Sequence, residues 1–143
     1  MSNLGSQALI AGAALSAAAA LAHLACIVLG APAYRVMGAG ERIARAVEAR
    51  KLQPALVTLT IAVMLFGWSA YALSGAGVIG ALPLTKLALV LISGIYLGRA
   101  LAFPLLKPMF AGNSDTFWWV SSALCGAMGA LHAFGTLAQW HVL

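Results

Sequence analysis

Residues 8–30 read ALIAGAALSAAAALAHLACIVLG and contain no Asp, Glu, Lys or Arg. A hydrocarbon core of about 30 Å takes roughly 20 helical residues to cross, so this run is long enough to span one. Three further apolar runs follow: PALVTLTIAVMLFGWSAYALS at 54–74, LTKLALVLISGIYLGRALAF at 84–103 and FWWVSSALCGAMGALHAFGTLAQW at 117–140. Only the third carries formal charge, at Lys86 and Arg99. An isolated span must satisfy its own backbone hydrogen bonds in lipid, which leaves helices or a closed barrel. Alternating ten-residue strands, the mark of a barrel, do not occur. The expected fold is therefore all-α: an integral membrane four-helix bundle forming a single domain over residues 1–143.

Composition supports lipid as the solvent. The chain is 63% hydrophobic and 8% charged, where soluble domains are roughly 25% charged. The net charge of +5 does not point to nucleic acid, because the basic residues sit at the ends of apolar runs rather than on one aromatic-interleaved face. The opening MSNLGSQ has no Lys or Arg, and a secretory signal needs a positive n-region. The first run therefore reads as a retained span, despite the APA at 31–33.

Orientation follows from Lys and Arg. The connection between the first two spans carries Arg35, Arg42, Arg45, Arg50 and Lys51, and that between the last two carries Lys107. The positive-inside rule puts both connections in the cytoplasm and both termini on the other side. In a bacterium this means the inner (plasma) membrane, crossed several times.

Six of the eleven charged residues fall in GERIARAVEARK, residues 40–51. Glu41 with Arg45 at i,i+4, and Arg45 with Glu48 at i,i+3, support a helix. Ile43 and Val47 share a face with the alanines, so a short amphipathic helix over about 40–52 is expected at the cytoplasmic interface. Anionic headgroups near residues 41–51 are its natural lipid partners, at about 1 kcal/mol per basic residue.

Small residues mark packing seams, since helices in lipid associate through close approach. Gly94 and Gly98 form a GxxxG, and Ser122 with Gly126 forms a second small-xxx-small pair. Gly12 and Ser16 mark a further seam, and these patterns also allow a homo-oligomer. Trp118, Trp119, Trp140 and Tyr34 fit interfacial aromatic belts.

Polar groups inside lipid are functional hypotheses by default. At 1.5 Å per residue, His23 and Arg99 lie roughly 6–10 Å from the cytoplasmic end and Cys125 roughly 12 Å. Tyr96 stands a turn deeper than Arg99, and Cys26 a turn shallower than His23. Haem is disfavoured, because His132 lies about 22 Å from that end and cannot face His23 at one level. His23, Cys26 and Cys125 make three ligands at best, short of a metal site. No span holds an Asp or Glu for proton-coupled antiport, and no catalytic Ser-His-Asp set or phosphate loop is present.

The segment Glu41, Arg42, Arg45, Ala46 and Pro54 resembles the cytoplasmic "ER-x-x-RA … P" segment of the MAPEG superfamily, membrane-associated proteins in eicosanoid and glutathione metabolism. Length and topology are similar too. The resemblance implies Arg42 and Arg45 as contacts for the glutathione carboxylates, Arg99 as a thiolate stabiliser, and a trimer. The chain departs from the family in having EARKLQ where Asn and Glu precede the proline, and in lacking an Arg at the start of span four.

Arg42, Arg45, Arg99, His23 and Tyr96 are thus the candidate ligand-binding residues, with no catalytic centre evident. The leading expectation is a small binding, scaffolding or accessory subunit that uses its amphipathic helix to meet lipid or a membrane partner protein. A glutathione-dependent transferase of lipophilic substrates is the alternative, and a small transporter the third reading.

Overall fold

The computed structural model describes residues 2–143, and every regular element in them is helical. The elements are α1 (Ser2–Leu29), α2 (Ala31–Val36), α3 (Glu41–Glu48), α4 (Gln53–Gly75), α5 (Thr85–Leu101), α6 (Phe103–Leu106), which runs into a 3-10 turn at Lys107–Met109, and α7 (Asp115–Ala138). Three of them, α1, α4 and α7, are long and apolar enough to cross a membrane. The fourth candidate span is broken: α5 and the α6 segment bend by 63° about Ala102. Pro104 explains the break, since its ring clashes with the carbonyl four residues back and it has no N–H to give.

The long helices form a ring in which α1 packs on α4 and α7, and α5 packs on α7 and, less closely, on α4. Leu9, Ala13, Ala20, Leu65, Ala72, Leu89, Ile92, Tyr96 and Met128 make the core. Outer faces carry bare Leu21, Val28, Val63, Leu101, Leu124 and Leu137, far more exposed apolar surface than a water-facing monomer tolerates.

Glycines set the closest approaches, though not at the GxxxG. A Cβ on Gly94 or Gly98 would meet nothing within 4 Å, so that seam faces outward, and Gly126 makes an ordinary contact with Ala100. The tight points are Gly12 against the His132 ring, Gly129 against Leu97, and Gly135 against Leu9 and the Gly5 carbonyl.

At one end of the bundle α2 and α3 form a cap. Two glycines with positive φ, Gly38 at 79° and Gly40 at 87°, turn the chain between them. Gly38 also has no room for a side chain, because the Phe117 ring occupies the space. Asn113 donates through Nδ2 to the Gly38 and Phe110 carbonyls, and the Glu41 amide donates to the Ala111 carbonyl. The cap is thereby tied to the loop before α7. Ser114 caps α7, its Oγ accepting from the Phe117 amide at 3.1 Å. The helix α3 is shorter than its charge pattern implied, ending at Glu48 before Arg50 turns left-handed at φ 55°.

Charge pairing in the cap differs from the i,i+3 expectation. Glu41 meets Arg45 at 3.4 Å, but Glu48 turns to Arg35 at 2.8 Å rather than to Arg45. Arg35 also holds Glu41 at 3.0 Å, bridging both acids. The hydrogen bond from Arg35 is the chief reason the Glu41 carboxyl titrates below its usual range. A carboxyl lowered on folding contributes stability present above its unfolded pKa and lost as pH falls through the folded value. Docking of α3 should therefore be constant from about pH 8 to pH 5 and loosen only below about pH 4. Amide hydrogen exchange of residues 41–48 against α4 measures this, and loosening already at pH 6 contradicts it.

Candidate functional site

A cleft of about 1080 Å³ opens beneath α3, a size suited to a ligand rather than to a water or two. Its lining combines two chemistries. Cys26, Val57, Thr58, Ile61 and Phe110 make a mainly apolar interior, joined by His23 from α1 and Tyr34 from α2. Arg42, Arg45 and Lys51, all exposed, rim it against a single acid, Glu41. That acid is already held by Arg35, so the rim is basic in net terms.

Local structure positions each group. Pro54 stands in the first turn of α4, where its missing N–H costs nothing, and presents Val57, Thr58 and Ile61 along one helical face. Thr58 spends its hydroxyl on the Pro54 carbonyl at 2.7 Å, which leaves that face effectively apolar. His23 likewise bonds through Nδ1 with the Ala19 carbonyl at 2.7 Å, leaving Nε2 as its second polar atom. Ala44, fully buried, seats α3 and turns Arg42 and Arg45 to the rim.

The candidates separate into three places. His23, Arg42 and Arg45 share the cleft. Tyr96 lies in the bundle centre, its hydroxyl 2.7 Å from the Ser16 Oγ and its ring against Trp68 and His132 at centroid distances of 5.0 and 5.3 Å. Arg99 lies between α5 and α7, where Nη2 donates to the Ser121 Oγ at 3.0 Å and the guanidinium sits 5.3 Å from the Trp118 ring. Ser122 is buried one turn from Trp118, and Gly94 and Gly98 face outward.

The sequence, in which His132 is weighed only as a haem ligand, does not reveal it as the central histidine of the bundle. His132 is fully buried, with Nδ1 on the Met128 carbonyl at 2.7 Å and Nε2 unbonded. Its signal was Gly12, whose bare backbone makes room for the ring. The aromatic residues expected at the interfaces also divide: Trp119 is 65% exposed, whereas Trp118 is 2% exposed and Tyr34 is 4% exposed. Among the described residues no three His, Cys, Asp or Glu side chains converge on a possible metal position. Cys26 and Cys125 are free thiols.

Comparison of the chain with protein-family profiles, with curated proteins and with solved structures finds no match.

Proposed function

We propose that this protein is a small membrane-embedded binding subunit whose cleft under α3 takes an anionic amphiphile. The membrane is the inner membrane of a bacterium, with four spans, both termini outside and the α2–α3 cap in the cytoplasm. One observation carries the reading: a single large cleft joins an apolar interior to a rim of Arg42, Arg45 and Lys51. An acyl or other lipophilic body lies against Cys26, Val57 and Ile61, while a phosphate or carboxylate meets the rim. Charge-assisted contacts favour the anion, and position at the interface lets a ligand enter from the leaflet.

Lysophosphatidylglycerol and lysophosphatidylcholine, matched in chain and differing in net charge, provide the test. Titrated into protein in neutral detergent and read by native mass spectrometry, the anionic lipid should bind about tenfold more tightly. Because each exposed basic residue near such a surface is worth about 1 kcal/mol, R42A/R45A should cost most of the preference that the cleft contributes. Equal affinity for both lipids, or an unaltered preference in the variant, overturns the reading.

A glutathione-dependent transferase is the second reading, favoured by Arg42 and Arg45 lining one cleft with Pro54. It expects a trimer that gains glutathione in the same spectra, with binding lost in R45A. A monomer indifferent to glutathione removes it.

A further inference from the structure

Away from the cleft, three side chains on the facing surfaces of α5 and α7 each keep an enclosed polar atom that no protein group bonds: Arg99 Nη1, Trp118 Nε1 and Ser122 Oγ. Arg99 and Trp118 are in contact, and Ser122 lies beside Trp118 on α7. The Arg99 guanidinium lies 5.3 Å from the Trp118 ring, and its other branch reaches Ser121. Ser122 follows Trp118 by one helical turn and so shares its face. Trp118 is 2% exposed and Ser122 is 8% exposed, so bulk water does not serve them.

The imbalance has one sign. An indole N–H and a guanidinium N–H only donate, and a hydroxyl can donate as well. Buried donors left unpaired cost free energy, more so when one is charged. Among the described residues no Asp or Glu side chain is free to answer them: Glu41 and Glu48 go to Arg35, and Asp115 goes to Lys107. Arg99 is thus a cation on a candidate span without a protein counter-ion, and such residues mark ligand or ion sites.

We infer that Arg99, Trp118 and Ser122 form a second site, distinct from the cleft, that binds an oxyanion carried by a lipid-soluble molecule. A carboxylate or phosphate oxygen accepts from Nη1, Nε1 and Oγ together, and the guanidinium supplies the opposite charge. Access from lipid fits the surroundings, since Ile95, Leu101, Trp119 and Leu124 on the same two helices are exposed and apolar.

The test uses R42A/R45A protein, in which two of the three basic rim residues of the cleft are removed, held in neutral maltoside detergent. Oleate, dioleoyl phosphatidate and, as a neutral comparator, dioleoylglycerol are titrated in and bound species counted by native mass spectrometry. Oleate and phosphatidate separate a free carboxylate from a lipid phosphate as the source. At least one is expected to bind tenfold or more above the neutral lipid. Adding R99Q should abolish that margin, since a charged hydrogen-bond partner is worth about tenfold or more, while W118F, which keeps a ring but loses the donor, should cost about threefold. R99K, which keeps charge without the fork, should recover part of it and controls for folding. No preference for either anion means that ordered water alone serves these donors and overturns the inference, as does unaltered binding in R99Q. If R42A/R45A by itself removes all binding, the cleft reading stands and this one falls. If only R99Q removes it, the cleft reading falls instead.

Discussion

Gly135→Val is expected to loosen the pairing of α1 with α7 and to lower the melting temperature by up to about 10 °C. At Gly135 an added Cβ would stand 2.5 Å from the Leu9 Cγ and 2.9 Å from the Gly5 carbonyl oxygen. A flexible side-chain end could swing aside, but a backbone carbonyl inside a helix cannot. The approach is mutual, because a Cβ on Gly5 would meet the Ala138 Cβ at 2.6 Å. Overpacking of this kind costs about 1–3 kcal/mol, with backbone obstruction at the upper end, and each kcal/mol is worth roughly 3 °C in a chain of this size. Gly94→Val is the matched control: it adds the same bulk where nothing stands within 4 Å. Thermal loss of near-UV ellipticity in detergent compares the two. Equal melting temperatures would show that α1 and α7 do not meet at these glycines.

That contrast also shows what the sequence could and could not convey. Four apolar runs and helical composition were legible, because lipid imposes length and self-satisfied backbone on any span. Three of the helices meet that length and apolarity directly, and the fourth does so only with its bend at Ala102. The pairing of helices was not legible. Gly94 and Gly98 carry the familiar spacing yet face outward, while Gly5, Gly12 and Gly135 make the contacts. Spacing fixes which residues share a face, and only tertiary packing decides which face finds a partner.

The candidate polar residues divide in the same way. Depth along the axis placed His23 and Arg99 at similar levels, but His23 turns into the cleft and Arg99 toward Ser121. Azimuth, which one sequence does not give, separates them. Arg42 and Arg45 were easier, since a short amphipathic helix over an apolar bundle has one way to lie.

Trp118→Ala is expected to be the more damaging of two superficially equivalent changes at adjacent tryptophans. Trp118 is 2% exposed and packs against Phe117 at a centroid distance of 5.6 Å, Phe110 at 6.4 Å and the Arg99 guanidinium. Trp119, 65% exposed, touches Phe103 at 5.0 Å. Removing a buried tryptophan costs about 3–5 kcal/mol through lost contacts and the cavity left behind, or roughly 10 °C or more here. Trp119→Ala should cost a small fraction of that. The buried indole does more than fill space. Phe110 lines the cleft, so loss of Trp118 removes support from the cleft wall and from Arg99 at once. Trp118→Ala should therefore weaken anionic amphiphile binding at both places, whereas R42A/R45A and R99Q each weaken one. Melting curves for the two tryptophan variants, read with binding measured well below their transitions, check both claims. Identical curves would place Trp118 at the surface, and intact binding in folded Trp118→Ala protein would show that neither site depends on it.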